Sequence, residues 1–372
     1  MQKTFGEVVL FARTGLNPRT NFKLGQGNNK YITIKNIHNN SLIVDDSTDV
    51  VDDDALAMIH RRSQIKAGDV LFCSIGRIGD MYIIEEEPVG WDVNESVFVF
   101  TLNTAIIRQK YFYYLFKHRD IIEYLTANSS GSTFKSIKMN QLQKMVFDLP
   151  SLEEQDKIVS CLDAAADVID SRQRQLRTLD TLIKARFVEM FGDFKTNPMG
   201  WPVVNFEEIA IIDGNMTTDY ERYADYPHIG IDSIEKDTGL LKGYRTVAED
   251  GVISGKYIFT PAHIIYSKIR PNLNKVALPD FDGLCSADAY PILPVAGRCN
   301  RVFLAYDMRS TFFLDYILQF CNRTNLPKVN RKEVAGFRTP LPPILLQDQF
   351  AAFVSQVDKS KVISQFVVEK AA

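Results

Sequence analysis

The chain has 372 residues, of which 45% are hydrophobic, and a formal net charge of −3 from 43 basic and 46 acidic side chains. This length favours two domains, and the composition excludes an intrinsically disordered protein. The near balance of charge predicts no strong overall field for nucleic acid, although a local basic face remains compatible with it. Five scattered cysteines without a CxxC pair favour a reducing compartment and argue against a disulfide framework or a zinc ribbon.

Membrane insertion and export are not expected. No apolar run reaches the roughly 18 residues that a membrane span requires. The stretch behind Lys3 is interrupted by Glu7, which is not the pattern of a signal peptide. We therefore expect a cytoplasmic protein that makes no contact with a membrane.

The first half of the chain is predicted to be rich in strands. Alternating or continuous apolar residues predict strands at Tyr31–Ile34, Asp69–Ser74, Met81–Ile84 and Val97–Phe100. A glycine turn over Ile75–Gly79 would join the second of these strands to the third. The run Asp52–Asp54 could suggest a metal site, but such a run more often caps a helix, here Ala55–His60. A further helix is predicted over Asp120–Ala127.

A long helix is predicted to follow this strand-rich half. Large apolar residues recur every seven positions, at Leu162, Ile169, Leu176, Ile183 and Met190. A heptad pattern held over five repeats predicts a coiled-coil helix from Ser151 to Phe191, about 60 Å long at 1.5 Å per residue. The alternative, an amphipathic helix lying on its own domain, is less favoured because so long a helix would extend beyond that domain. Gly192 would end the helix.

The second half of the chain repeats the first. Leu149–Asp156 reappears as Leu341–Asp348, 192 residues later, and Ile34 and Ile37 match Ile231 and Ile234. In this alignment Ser74 corresponds to Ser267, at the start of an equivalent turn. A helix is predicted over Phe312–Cys321, and a second long helix of about 29 residues after Pro343. Matches in constant order over this distance indicate a tandem duplication.

The duplication predicts the fold class. We expect an α+β protein with two tandem repeated α/β domains separated by an antiparallel coiled coil of two long helices, with pseudo-twofold symmetry. The first helix leads from the first domain to the second, and the second helix should return. The predicted boundaries are 1–148 for the first domain, 149–200 for the first helix and linker, 201–340 for the second domain, and 341–372 for the shorter second helix.

Motifs for catalysis are missing from the sequence. Gly251-x-x-x-Gly255-Lys256 has the wrong spacing for a phosphate-binding loop and lacks the following serine or threonine. No glycine motif for S-adenosylmethionine is present, and the five histidines lack the spacing of metal ligands. Gly76–Gly79 resembles an RNA-binding GXXG loop but lies between strands, where a hairpin turn is favoured. We therefore predict no catalytic residue and no metal ligand.

Local basic segments occur at equivalent places in the two halves. No acidic residue occurs in 55–68, 124–147, 256–279 or 316–332, and each segment holds three or four cations. A basic segment is usually a solvated face, but two in each repeat favour contacts with phosphates. Neighbouring hydroxyl and amide side chains are suited to base edges. The candidate contacts to phosphates and base edges are Arg77, Ser132, Thr133, Lys135, Lys138, Lys268, Arg270, Asn272, Lys328 and Arg331.

With these residues in view, the chain resembles the specificity subunits of Type I restriction-modification systems. The resemblance covers essentially the whole chain. It implies that each target-recognition domain reads one half of a bipartite, asymmetric DNA site and that the antiparallel helices act as a ruler. The matching segments are Leu149–Gln155, Lys184–Asp193, Asn197–Pro202, Gly68–Phe72 with Ile78-Gly79, and Ser267–Pro271 with Lys275-Val276.

The resemblance also implies partners in a prokaryotic cytoplasm. Two modification subunits would bring S-adenosylmethionine and methylate adenine N6, and restriction subunits would add ATP- and Mg-dependent translocation and cleavage. The chain itself would bind double-stranded DNA and no cofactor. We expect the acidic start of the first helix, at Glu153, Glu154 and Gln155, to help seat a modification subunit. The main alternative is a duplicated coiled-coil scaffold that binds proteins and not nucleic acid, and a nuclease comes third.

Overall fold

The computed structural model describes residues 1–131, 134–321 and 327–371, and for residues 363–371 it describes the backbone alone. The chain divides into two compact units, Met1–Asp167 (unit 1) and Val168–Ala372 (unit 2). The boundary falls inside the first long helix, so the finer division into four parts stays a prediction. Within the described residues, no helix is both long and apolar enough to cross a membrane.

Unit 1 combines short strands with short helices. Its strands are β1 (Gln2–Thr4), β2 (Val9–Thr14), β3 (Asn29–Ile32), β4 (Ile37–His38), β5 (Ser41–Leu42), β6 (Val50–Val51), β7 (Val70–Cys73), β8 (Met81–Ile83), β9 (Trp91–Val93), β10 (Val97–Leu102) and β11 (Val146–Asp148). Its helices are α1 (Phe5–Val8), α2 (Asp53–Ser63), α3 (Gln109–Leu115), α4 (Arg119–Ala127), α5 (Met139–Leu142) and the first turns of α6 (Leu152–Phe191).

Strand β10 forms the centre of unit 1 and is buried on both faces. It pairs antiparallel with β2 and β7 in a four-stranded sheet of order β2-β10-β7-β8. Phe98 and Phe100 lie in one core cluster with Phe72, whereas Val97 and Val99 lie in a second cluster. Burial on both faces explains why this strand is continuously apolar and does not alternate.

The aspartate run before α2 caps that helix, as predicted. Asp52 adopts an extended backbone, and its Oδ1 accepts a hydrogen bond from the main-chain N–H of Ala55 at 2.8 Å. Asp53 and Asp54 occupy the first turn, where the helix dipole favours negative charge. The interpretation of this run as a helix cap is therefore confirmed.

Unit 2 also combines short strands with short helices. Its strands are β12 (Val203–Asn205), β13 (Ala210–Ile212), β14 (Met216–Thr217), β15 (Pro227–Ile229), β16 (Arg245–Thr246), β17 (Lys256–Phe259), β18 (Ile264–Ser267), β19 (Val276–Ala277), β20 (Gly283–Cys285), β21 (Ala289–Pro294) and β22 (Arg338–Pro340). Its helices are α7 (Phe206–Ile209), α8 (Val247–Asp250), α9 (Arg301–Arg309), α10 (Thr311–Leu318), α11 (Arg331–Ala335) and α12 (Ile344–Ala371), with 3₁₀ turns at Ile231–Ser233 and Pro271–Leu273.

The sheets confirm the duplication and correct its alignment. Unit 2 has a four-stranded sheet of order β13-β21-β18-β19, the counterpart of β2-β10-β7-β8. Cys73 pairs with Val97 in unit 1, and Ser267 pairs with Ala289 in unit 2. Cys73 and Ser267 are therefore equivalent, and Ser74 corresponds to Lys268. The alignment of Ser74 with Ser267 was wrong by one residue, because two apolar strands can be aligned in more than one register.

The two long helices pack against each other inside unit 2. The ring of Phe350 on α12 lies 5.4 Å from that of Phe187 and 5.5 Å from that of Phe191, both on α6. Further along α12, Lys361 Nζ lies 2.7 Å from Asp180 Oδ1. Contacts thus advance along α12 as they go back along α6, so the predicted antiparallel pairing is confirmed for these segments.

The predicted heptad seam is buried only in part. Ile183 is fully buried in the core of unit 2, and Leu179 and Met190 pack against that core. In unit 1, Ile158 and Leu162 are 39% and 38% exposed. The apolar period therefore predicted the helix correctly but did not indicate which part of its seam is covered.

A buried glutamine fixes the start of each long helix to its own unit. Gln155 is fully buried, and its Oε1 accepts from the main-chain N–H of Arg108 at 2.9 Å. Its Nε2 donates to the main-chain carbonyls of Ile106 and Pro150. These three bonds satisfy main-chain groups that would otherwise be buried without partners.

Gln347, 192 residues later, repeats this arrangement in unit 2. It is fully buried, its Oε1 accepts from the main-chain N–H of Asn300 at 2.8 Å, and its Nε2 donates to the carbonyl of Pro342 at 2.7 Å. The repeated glutamine at the start of both helices therefore has a structural role inside each unit.

Unit 2 buries one carboxyl group that unit 1 does not have. Asp307 on α9 accepts a hydrogen bond from Thr339 Oγ1 at 2.8 Å, and its Oδ1 has no partner among the described residues. Burial raises the pKa of Asp307 from 3.8 to about 7. Unit 1 has Leu115 and Phe147 at the equivalent positions, so the fold does not require a carboxyl group there.

We expect Asp307→Asn to remove a pH dependence of stability. The folded pKa lies above the unfolded value, so the stabilisation by the neutral carboxyl is complete below about pH 4 and is lost as the pH rises through about 7. At pH 8 the variant should therefore be more stable than the wild type by about 1–3 kcal/mol. Urea unfolding at pH 5 and pH 8 measures this difference. A gap of the same size at both pH values would contradict the assignment.

Candidate nucleic-acid interface

Each unit brings a hairpin turn against a basic loop through the same hydrogen bonds. In unit 1 the N–H of Gly76 donates to the carbonyl of Lys135 at 2.9 Å, and the N–H of Ile137 donates to that of Ser74 at 2.9 Å. The N–H of Ser74 donates to the carbonyl of Ser96 at 3.0 Å. We call this arrangement of turn, loop and strand end the junction of the unit.

The junction of unit 2 is built in the same way. The N–H of Arg270 donates to the carbonyl of Pro327 at 2.8 Å, and the N–H of Val329 donates to that of Lys268 at 3.0 Å. The N–H of Lys268 donates to the carbonyl of Asp288 at 3.0 Å. Segments that are about 60 residues apart in sequence therefore meet at equivalent places, where the sequence predicted basic surfaces beside turns.

Exposed cations lie at both junctions. Lys135 and Lys138 in unit 1 are exposed, and their ammonium groups have no partner within the described residues. In unit 2, Arg270 is exposed and likewise unpaired within the described part of the chain, and Lys328 is about half exposed. Asn272 is also exposed. Cations of this kind are available to phosphates or base edges.

Arg270 occupies a backbone conformation that a side chain rarely adopts. Its φ is 49°, and its equivalent in unit 1 is Gly76, with φ 72°. A left-handed conformation costs a residue with a Cβ about 1–2 kcal/mol, and glycine avoids this cost. Strained residues of this kind concentrate at functional sites, so the geometry favours a role for the Arg270 side chain outside the unit.

Lys268 is half-buried at the junction of unit 2. Its ammonium lies 5.0 Å from the centre of the Tyr290 ring. Burial lowers the pKa of Lys268, and the nearby Lys328 lowers it further. Tyr290 therefore holds this cation in place by a cation–π contact, without neutralising its charge.

Two predicted cations are bonded inside their own units. Arg77 donates to the carbonyls of Ile34 at 2.7 Å and Ile37 at 2.9 Å, and its Nε lies 3.4 Å from Asp80 Oδ2. Arg331 donates to the carbonyl of Ile212. These bonds fix loops around the junction, which argues against direct base reading by either guanidinium. Their assignment to DNA binding stays a prediction.

Two predicted residues, Ser132 and Thr133, lie outside the described part of the chain.

One exposed aromatic residue beside the junction of unit 1 was missed by the sequence analysis. Phe134, directly before Lys135, is 70% exposed. An exposed aromatic ring beside a cation is suited to stacking on a nucleic-acid base. The sequence-based prediction rested on charged and hydroxyl side chains, and an aromatic ring carries neither.

The acidic start of α6 divides into two exposed residues and a buried one. Glu153 pairs with Lys157 on the exposed surface. Glu154 caps the helix by accepting from the N–H and the Oγ of Ser151, and the main-chain hydrogen bond lowers the pKa of Glu154. Gln155 is used inside unit 1, as described above, and its side chain is not on the surface. Only the two glutamates are therefore placed to meet a partner.

Within the described residues, no group of three or more histidine, cysteine, aspartate or glutamate side chains is arranged to hold a metal ion. The prediction that the chain itself binds no metal is not tested by this finding.

Comparisons with known proteins find DNA specificity domains and specificity subunits of Type I restriction systems. Residues 1–180 match the model of the Type I restriction modification DNA specificity domain. The chain is 29% identical over 293 residues to the Type I restriction enzyme EcoDI specificity subunit of Escherichia coli, covering 69% of this chain and 64% of that protein. It is 32% identical over 119 residues to the MjaIX specificity subunit of Methanocaldococcus jannaschii, covering 28% of each. The chain thus spans less than two thirds of the length of these relatives.

Solved structures share the fold at low sequence identity. The S subunit of a Type I restriction-modification system from M. genitalium matches with a TM-score of 0.59 at 11% identity, over 100% of this chain and 92% of that one. A structure of the type I R-M system, described for its complex assembly and conformational transition, matches with a TM-score of 0.50 at 16% identity, over 100% and 93%. These likenesses concern the fold.

Proposed function

We propose that the chain, whose residues 1–180 match the model of the Type I restriction modification DNA specificity domain, is a non-catalytic, sequence-specific DNA-binding subunit. In this proposal unit 1 and unit 2 each read one half of a bipartite, asymmetric duplex site. The chain directs modification and restriction subunits to that site in a prokaryotic cytoplasm. S-adenosylmethionine, ATP and Mg are expected on those partner subunits, and this chain binds none of them.

The observation that carries the proposal is the pair of equivalent junctions. The same three main-chain hydrogen bonds bring a hairpin turn, a basic loop and a strand end together in each unit. Each junction presents exposed cations, Lys135 and Lys138 in one and Arg270 and Lys328 in the other. Local cations can bind phosphates even though the net charge of the chain is −3. Salt screens charges that are more than about 10 Å apart, so distant acidic residues do not cancel the attraction of these cations.

The proposed docking site for the two modification subunits includes the exposed acidic turn at the start of α6. Glu153 and Glu154 lie on the surface there, within the segment that matches the family. A protein-binding scaffold with no affinity for nucleic acid is the second candidate, favoured by the exposed apolar seam at Ile158 and Leu162. A gel shift with random duplex DNA at low salt, with and without a modification subunit, separates the two candidates.

We expect Arg270→Ala to weaken DNA binding at all sequences if the guanidinium contacts a phosphate. The slope of log affinity against log salt should then fall by about 1, because one counterion fewer is released. If Arg270 reads a base, specificity should instead relax at one position of the half-site read by unit 2. The control is Lys236→Ala, which removes an exposed cation of the same unit outside the junction. A changed preference in the half-site of unit 1 would contradict independent reading.

A further inference from the structure

The two junctions carry different side chains at three equivalent positions. Unit 1 has Ser74, Ser96 and Ser136, and unit 2 has Lys268, Asp288 and Lys328. The equivalence follows from the matching main-chain hydrogen bonds and from the isolated bridges Ile75–Ser136 and Ile269–Lys328. Since both sets occupy the same backbone, the fold requires neither, and the difference concerns what each surface contacts.

Asp288 is an acid beside the cations Lys268 and Lys328 of the junction of unit 2. Its Oδ1 lies 3.5 Å from Lys328 Nζ, and both side chains are almost half exposed, at 47% and 46%. Asp288 also acts on the charge of Lys268, whose pKa it raises against the larger effect of burial. An ion pair this exposed and this long contributes little to stability. Stability alone therefore does not explain the carboxylate.

A carboxylate opposes phosphate binding and can only accept hydrogen bonds. In the major groove, the bases that offer a donor are cytosine, through its N4 amino group, and adenine, through its N6 amino group. Guanine and thymine present acceptors at the corresponding positions, which would repel a carboxylate. The two flanking lysines keep the local charge positive, so the acid can approach DNA without losing the attraction to phosphates.

We propose that Asp288 is a specificity-determining residue of unit 2, which accepts a hydrogen bond from the exocyclic amino group of a cytosine or an adenine. This inference rests on the proposed function and adds to it the class of base read at one position. Ser96, the equivalent in unit 1, can both donate and accept and so does not exclude guanine or thymine by charge. The two units therefore read different sequences, and the whole site is asymmetric.

The test is selection of duplexes from a random library by the full chain together with its modification subunits. The variants are Asp288→Asn, which can donate as well as accept, and Asp288→Ser, which copies unit 1. Asp282→Asn is the matched control, because Asp282 is an exposed acid of the same unit that directly precedes β20, whereas Asp288 directly precedes β21. The wild type should select cytosine or adenine over guanine and thymine at one position. Asp288→Ser should reduce this preference about tenfold there, a typical size for one base contact, and Asp288→Asn should admit guanine or thymine because its amide can also donate.

The outcomes separate the inference from the proposed function. The same motif with wild type and both Asp288 variants would overturn the inference and leave the proposed function standing. Loss of all binding in the Asp288 variants would also overturn it, because the side chain would then be needed for binding as such. If the wild type selects no motif, the proposed function itself fails. A weaker base preference at one position only, together with an unchanged motif for Asp282→Asn, supports the inference.

Discussion

Replacing Phe350 by alanine is expected to lower the free energy of unfolding of unit 2 by about 3–5 kcal/mol. The ring is fully buried and lies within 5.5 Å of the rings of Phe187, Phe191 and Tyr306. It therefore joins α6, α9 and α12, and its removal leaves a cavity among three helices. Urea unfolding followed by the fluorescence of Trp201 reports on this region, since its indole N–H donates to the carbonyl of Phe191 at 2.9 Å.

The duplication supplies a matched control for this change. Ile158 occupies the equivalent position on α6 in unit 1 and is 39% exposed. Ile158→Ala should cost less than about 1 kcal/mol, because a partly solvated side chain leaves no closed cavity. Unfolding of unit 1 can be followed by Trp91 in a Trp201→Phe background, since the chain has two tryptophans. If Phe350→Ala and Ile158→Ala lowered the free energy of unfolding equally, the packing of Phe350 would not be what stabilises unit 2.

Inserting four residues between Gln173 and Arg174 is expected to lengthen the preferred spacer by one or two base pairs. Helix α6 begins in unit 1 and ends in unit 2, and four residues add about 6 Å along it. At about 3.4 Å per base pair this equals one or two pairs. Four residues nearly preserve the helical phase, so the helix should remain intact. Both half-site sequences should stay the same, which methylation assays on duplexes of varied spacing would measure.

Two further insertions make this test specific. Two residues at the same place would turn the rest of the helix by about 200°, so we expect loss of methylation at every spacing. The same four residues inserted beside Ile253, in an exposed turn of unit 2, should leave the spacing unchanged. If the four-residue variant of α6 folds and still methylates at the original spacing, the helix does not act as a ruler.

Regular elements with a strong period could be predicted from the sequence. The heptad predicted a helix from Ser151 to Phe191, and the structure has α6 at Leu152–Phe191. The helix predicted at Asp120–Ala127 is α4 at Arg119–Ala127. Such elements are determined locally, by apolar spacing and end residues, so the sequence alone is sufficient to place them.

Features that depend on contacts between distant segments could not be predicted. Gln155 was assigned to a partner, and only the fold shows its three bonds to the main chain of unit 1. Arg77 was assigned to DNA, and the carbonyls that hold it come from a loop about 40 residues earlier. A polar residue has the same letter in the sequence whether its partner is another part of the chain or a ligand.

Asp288 was missed for a related reason. The sequence search looked for segments without acids, and Asp288 lies outside all four of them. The fold places it between Lys268 and Lys328 through a strand end that is distant from both in sequence. The one-residue error that aligned Ser74 with Ser267 also concealed that Ser74 corresponds to Lys268.

We propose that one chain directs methylation to a site with two separately read halves. The most direct measurement is the genome-wide map of N6-methyladenine in a strain that carries this chain with its modification subunits, and in the same strain without the chain. We expect one asymmetric motif, with two specified halves and an unspecified spacer, to be methylated only when the chain is present. The same methylation in both strains, or a single uninterrupted motif, would contradict the claim.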